Sequence, residues 1–569
     1  MEKKFAKILA LLLAVSLLLA GCAPMAQEAP AGLEAGETFE EIEYSRPDIP
    51  QMEQAVARLQ ESLEKLSLPS TLRKQIDSCY DCYYNYDTML SLADIRSCQD
   101  LSNSFYREEY AWCLENRPRV QQLMDEMYLS CARSMYAPLM ETFFFWDGFM
   151  DQYGGEEAQD QPEEIYELYR RENELINSYR SLIAQPYIEL DGQSLNYQES
   201  LAAASEEEAY RLIRAYYEQY DQLLGDIYAQ LVSIRRQQAQ LLGYDSYEQM
   251  EYAVVYERDY SPQQAREYLD DIKEYMVPLY EQLMDSQAYS YIYWEYMPQE
   301  ELLDILAGAA ENMGEEIEGS FSFMAEHRLF DVELRPNKAS ISFQAYLSDY
   351  EAPFLFLSPY GDQSDVLSFA HEFGHFTDAY INYNAYETTD LAECFSQSME
   401  YLTLFYLDGT MAEEEAEELL FYKVLNTLEL YVGQAAIAEF ESRVFSLPDQ
   451  QLNTESINRL YLEICMDYGL CDGTTEEQSW GWIDISHLFE SPFYVISYPV
   501  TNDIAMQIFA LELEQPGQGL ETFSRMLPRT YDSLMPTVEE ARLESPFSQD
   551  RIVSALACLE SVLDSVKKF

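Results

Sequence analysis

Along most of the chain, apolar residues recur three and four positions apart. That spacing gathers them on one face of an α-helix. Met52–Leu66 and Glu163–Leu182 carry the pattern, which predicts a helical region over residues 50 to 180. The rhythm breaks at Tyr187–Leu195, where alternation around Asp191-Gly192 predicts a small β-hairpin. A helix is expected over 205–242, with Ser205 as its N-cap and Glu206–Glu208 in a first turn that suits acidic side chains. Ser261-Pro262 opens another, expected over 262–286, because proline fits the first helical turn. Ile341–Tyr346 and Phe354–Leu357 are short and apolar or alternating, and read as two strands. The run Glu413–Glu418 reads as a solvated helix face. There is no internal repeat, and beyond residue 21 no apolar segment is long enough to span a bilayer.

Composition narrows the class. A chain of 569 residues can bury one large core or two lobes, and 48% hydrophobic residues exclude wholesale disorder. Only 21 glycines, beside abundant Leu, Glu, Gln and Ala, favour a mostly α fold. The formal net charge of −67 argues against nucleic acid as a partner, since the field repels phosphates, and it suits cationic peptides.

The N-terminus reads as an export signal. Lys3, Lys4 and Lys7 precede an apolar stretch, Ile8–Ala20, too short to cross a bilayer comfortably. Leu19-Ala20-Gly21-Cys22 resembles the bacterial lipoprotein box. The resemblance implies a signal peptide over 1–21, a lipid on the sulfur of Cys22, and an extracytoplasmic protein anchored to the cell membrane. Residues 22–45, rich in Ala, Pro, Glu and Gly, are expected to form a flexible tether. Export permits disulfides, and Cys465 with Cys471 is a candidate local bridge. Cys79-x-x-Cys82 has no second pair or nearby histidine to make a metal site and reads as structural.

The chemistry concentrates in His371-Glu372-Phe373-Gly374-His375, which uses two of the four histidines in the chain. On a helix, positions i and i+4 lie one turn apart on one face, so both imidazoles can reach one metal ion. A zinc hydrolase needs a third ligand and an open position for water. Candidates lie in the stretch from Asp390 to Glu400, where Glu393 and Glu400 share a face and Asp390 or a threonine can cap the helix. Glu372 suits a general base. Gly374 permits close packing behind the metal helix. His487, Tyr494 and Tyr498 form a further polar cluster from which a donor to an oxyanion could come.

These motifs resemble the thimet oligopeptidase and oligoendopeptidase F family of zinc metallopeptidases, over about residues 50–569. The resemblance implies a nearly all-helical fold of two lobes flanking a deep substrate channel, with a small β-sheet beside the metal-binding helix. It implies an N-terminal helical region over 46–200 and a catalytic domain over 201–569. It also implies one zinc held by His371, His375 and Glu393, with Glu372 as base and Asp390 and Glu400 supporting the ligands. His487, Tyr494 and Tyr498 would line the substrate side, with Tyr498 favoured for the oxyanion. Three positions depart from the family pattern: Asp378 where many relatives carry histidine, Ser342-Phe343-Gln344-Ala345 where a Gly-Ala pair is common, and Ile496 in place of a tyrosine.

The expected activity is zinc-dependent endopeptidase cleavage of short oligopeptides. A zinc dipeptidyl carboxypeptidase would share the metal site and differ in how it holds the substrate's C-terminus. A peptide-binding lipoprotein is the non-enzyme alternative, and it has no need of Glu372.

Overall fold

A computed structural model describes residues 32–565 apart from 34, 147, 155–162, 203, 293 and 385–386. The signal segment 1–21 and Cys22 lie outside the described residues. The fold is mostly helical, with a two-stranded and a three-stranded sheet. No helix among the described residues is long and apolar enough to cross a membrane.

The chain is already folded at Phe39, within the segment expected to be a tether. Phe39 and Ile42 are buried. The Phe39 ring packs 4.2 Å from that of Phe354, and its amide donates to the His327 carbonyl. Helices Ile49–Glu64, Pro69–Gln99 and Ser104–Ala132 then close around a small core that includes Met52, Leu59, Leu72, Ile76, Leu123 and Met127. The far end of the second helix leaves that core. Its Met89, Leu92 and Ile95 join the larger one, which includes Phe369, Phe373 and Phe376 beside the histidine pair.

The hairpin forms as expected, with β1 (Tyr187–Leu190) antiparallel to β2 (Gln193–Asn196). Asp191 and Gly192 both take positive φ, 54° and 77°, the backbone that a tight two-residue turn demands. Ser205 caps helix Glu206–Leu241 through a reciprocal box with Glu208. The helix expected over 262–286 is two helices, Pro262–Tyr275 and Val277–Asp285. Pro278 explains the break, since it has no N–H to give and crowds the carbonyl four residues back.

The second sheet has the order β3-β5-β4, with β3 (Phe330–Asp331) parallel to β5 (Ala352–Phe356) and β4 (Phe343–Leu347) antiparallel to it. β4 starts two residues later than its alternation suggests. The ladder stops at Phe343 opposite Phe356, because the Ser358 amide bonds the Ser342 hydroxyl rather than a backbone carbonyl. β5 is buried throughout, and β4 has no partner on its outer edge among the described residues.

The metal helix (Asp365–Ile381) follows directly. Its start is fixed by Asp365, whose carboxylate accepts from the amides of Tyr360, Gly361 and Asp362. The carboxylate helix (Thr389–Thr403) packs against it, and the tyrosine helix (Ser497–Glu514) packs against the carboxylate helix. The first of these contacts is close because Gly374 has no side chain. A Cβ there would stand 2.5 Å from the Ser396 Cα and 2.8 Å from the Phe395 carbonyl oxygen. The long helix Glu413–Phe445 buries Lys423 and Glu441 behind this layer.

Candidate metal centre and active site

One turn of the metal helix separates His371 from His375, and their rings stand 5.0 Å apart, nearly perpendicular. Glu393, buried on the carboxylate helix, points Oε2 between them, 3.6 Å from Nε2 of His371 and 3.9 Å from Nε2 of His375. Across the three residues, one ligand atom each lies within 4.8 Å of the others. Zinc bonds of about 2.0–2.2 Å in a tetrahedron put donor atoms roughly 3.3–3.6 Å apart. The two imidazoles and the carboxylate therefore fit one such ion with small rotations, and their donor chemistry is that of zinc.

Two of the three ligand candidates, His371 and Glu393, are held from behind. Nδ1 of His371 lies 2.8 Å from Glu400 Oε1, and Lys423 Nζ donates to the other Glu400 oxygen at 2.6 Å. That chain turns Nε2 of His371 toward the shared centre. Burial raises the Glu400 pKa, but the Lys423 ammonium and His371 outweigh it and hold the carboxyl at about 2. Burial opposes charge on His371, yet Glu400 lifts it to about 9. His375 is driven well down, by burial and by His371 beside it. Glu393 accepts from the Ser396 hydroxyl at Oε2, 3.2 Å, and from the Tyr494 hydroxyl at Oε1.

Glu372 is buried, and its Oε2 has no hydrogen-bond partner in the protein. Burial pushes its carboxyl up to about 7, against the pull of His371. It lines, with His371 and Glu400, a cavity of about 510 Å³. Its lining also includes Ser340-Ile341-Ser342, the segment that leads into β4, and Tyr360 and Tyr422. A carboxylate poised near neutrality beside two imidazoles and an open cavity can take and return a proton.

The polar cluster expected from the sequence is assembled, though not along that cavity. His487, Tyr494 and Tyr498 have ring centres 5.2–5.9 Å apart, and Tyr498 Oη lies 3.4 Å from His487 Nε2. Burial, with Glu393 and Glu372 close by, keeps the Tyr498 hydroxyl protonated, and burial keeps His487 neutral. Tyr494 is spent on Glu393 itself. Asp390 sits in the first turn of its helix but caps nothing: it pairs with Arg258, 3.4 Å away, while Thr388 holds the cap position without a side-chain bond. Asp378, at the position where many relatives carry histidine, accepts from Asn382 at 2.8 Å and faces Arg529 at 3.3 Å. Cys465 and Cys471 are free thiols here, so the expected bridge is absent.

Sequence reasoning missed Lys423, Arg258 and Glu441. A lysine inside an otherwise apolar and aromatic stretch, Leu419 to Leu425, was a readable signal for the first.

Comparison with known proteins agrees with this geometry. Residues 39–145 match the family model described as the peptidase M3 N-terminal domain, and residues 312–529 match peptidase family M3. A solved structure provisionally assigned as an oligoendopeptidase F superposes with a TM-score of 0.80 at 23% identity, over 93% of this chain and 99% of its own. PZ peptidase A, solved with an inhibitor, gives 0.81 at 22% identity, over 93% and 100%. Oligoendopeptidase F from Enterococcus faecium gives 0.59 at 16%, over 92% and 99%. At these identities the superpositions establish the shared fold. No curated protein matches the sequence.

Proposed function

Because the chain belongs to peptidase family M3 and is a zinc-dependent peptidase, we propose that it is an endopeptidase acting on short oligopeptides outside the cytoplasmic membrane. The observation that carries the peptidase reading is the convergence of His371, His375 and Glu393 on one centre with Glu372 beside an open cavity.

His371, His375 and Glu393 would hold the ion. When bound, zinc supplies a Lewis acid that polarises a carbonyl and acidifies water. The rest falls to the protein. Glu372 takes the proton from the attacking water and returns it to the leaving amine, a cycle its near-neutral pKa allows. Tyr498, kept protonated and steadied by His487, is the donor we assign to the oxyanion. The unpaired edge of β4 and the segment before it can bind an extended peptide by strand addition. Restriction to short peptides follows if the cavity lies in a channel between two lobes, as the family resemblance suggests. The lipid anchor at Cys22 and the extracytoplasmic site rest on the N-terminal sequence; Cys22→Ser should release the protein from the membrane fraction.

Glu372→Gln tests the central claim. The variant should keep stoichiometric zinc and lose about 10²-fold or more in kcat on a quenched peptide, the usual scale of a positioned acid–base group. Unchanged hydrolysis would remove Glu372 from the mechanism. A peptide amidated at its C-terminus should be cleaved as well as the free acid; refusal would favour the dipeptidyl carboxypeptidase reading.

A further inference from the structure

Phe493 has φ of +60° in a buried position, a backbone that a bulky residue adopts only when its surroundings impose it. Both ends of its peptide backbone are gripped. Its N–H donates to Glu441 Oε2 at 2.7 Å, and its carbonyl accepts from Arg258 Nη2 at 2.8 Å. The same guanidinium nitrogen donates to the Ser497 hydroxyl at 2.8 Å. Arg258 is itself held. Its guanidinium lies 4.4 Å over the rings of both Tyr252 and Tyr256, and Tyr256 Oη donates to the Pro492 carbonyl at 2.8 Å. The residue after this forced turn is Tyr494, whose hydroxyl bonds Oε1 of Glu393, the oxygen turned away from the imidazoles.

We propose that Arg258 and Glu441 are positioning residues for the metal centre: by clamping Phe493 in its strained turn they aim Tyr494 at Glu393, and so fix which carboxylate oxygen faces the two histidines. The proposal rests on the reading of Glu393 as a metal ligand. Two residues distant in sequence, Arg258 and Glu441, meet at Phe493 here, and neither is among the candidate metal ligands. Without the clamp, Phe493 relaxes to negative φ, the chain direction at Tyr494 changes, and Glu393 loses the bond that orients it. Burial, opposed by the Phe493 amide and Arg235, lifts the Glu441 carboxyl to about 8, so at neutral pH it acts as a neutral acceptor that an amide can replace.

The test is zinc affinity by chelator competition on the purified protein, read beside thermal unfolding of the metal-free form and kcat on a quenched peptide. Arg258→Lys keeps the charge but lacks the planar fork. It should weaken zinc about tenfold or more, the scale on which support behind a ligand acts. Tyr494→Phe should do the same, and the double variant should be little worse than either single one. Glu441→Leu should weaken zinc similarly, while Glu441→Gln, which keeps the acceptor oxygen, restores it. If Arg258→Lys does not fold, the cycle of Glu441→Leu with Tyr494→Phe gives the same reading.

Wild-type zinc affinity in Arg258→Lys or Glu441→Leu, with a loss in Tyr494→Phe, overturns the clamp and leaves the ligand assignment standing. So do fully additive losses, which would mean that Arg258 acts through Asp390. Retention of zinc in Glu393→Ala is the distinct failure that removes the underlying reading.

Discussion

Gly374→Ala should cost this protein its metal before it costs it its fold. The substitution adds one methyl group inside a helix, where alanine is intrinsically better than glycine by about 1 kcal/mol. That gain is outweighed. The new Cβ would stand 2.5 Å from Ser396 Cα, 2.8 Å from the Phe395 carbonyl oxygen and 3.1 Å from Met399 Cβ. Carbon atoms prefer 3.5–4.0 Å, so the metal and carboxylate helices must part by roughly 1 Å. The nearest contact is with a Cα, and no side-chain change at 396 relieves it. Overpacking of this kind costs about 1–3 kcal/mol, which leaves a net loss of about 2 kcal/mol or less. The metal centre is far less tolerant. Glu393 rides on one helix and both histidines on the other, with Oε2 now 3.6 and 3.9 Å from the imidazoles. Disturbing what holds a metal's ligands in place costs roughly 10- to 100-fold in metal affinity. Zinc affinity by chelator competition should fall by about that factor while denaturant unfolding of the metal-free protein shifts modestly. Zinc affinity within twofold of wild type would refute the claim that this helix contact sets the ligand spacing.

Glu393→Ala should abolish stoichiometric zinc, read by metal analysis of the purified protein; a full complement would place the third ligand elsewhere. Lys423→Met should destabilise the chain by about 3 kcal/mol or less, because it removes the buried ammonium from a half-buried Glu400 carboxylate that keeps only His371, and denaturant unfolding measures this. Acid stability should depend on Asp331. Burial raises its pKa, but Arg335 and Lys338 outweigh that and hold it at about 2, below the ordinary 3.8. Its contribution of about 2 kcal/mol is thus full above pH 3.8 and lost as pH falls toward 2, and Asp331→Asn should flatten unfolding free energy over that window. A slope there unchanged by the substitution would remove Asp331 as its source.

What could be read from the sequence was what is local. The histidine pair needs only helical spacing, and the Asp191-Gly192 turn needs only two residues that tolerate positive φ. Ser205 and Glu208 announce a helix start within four positions. The carboxylate Glu393 lies 22 residues past His371; helical spacing offered it together with Glu400, and only the family resemblance chose between them. The supporting charges gave no such signal. Arg258 meets Asp390 across 132 residues and Phe493 across 235, and nothing in a linear chain marks one arginine among many as the one that closes both. The break at Pro278 was legible and was missed; periodicity ran through it, and the absent N–H decided against a single helix. The offset of β4 was not legible, since it turns on a hydroxyl of Ser342 intercepting one amide.

The charge balance carries an argument of its own. A chain with 102 acidic and only 35 basic residues is short of cations, and in a random allocation most of them would stay in solvent. Instead Arg235, Arg258 and Lys423 are buried around the site. Lys423 secures Glu400 behind His371, Arg258 secures the turn before Tyr494, and Arg235 donates to the carbonyls of Leu488 and Phe489 next to His487. Each takes up carboxylate or carbonyl oxygens, and so fixes a support behind the centre. The cavity lining carries Glu333, Glu372 and Glu400 together with Arg335 and Lys338. The outcome is a site held rigidly from behind by buried cations, while its cavity presents charges of both signs. Neutralising any one of these buried cations should therefore disturb the centre from behind, through geometry, whereas removing surface lysines should leave it untouched.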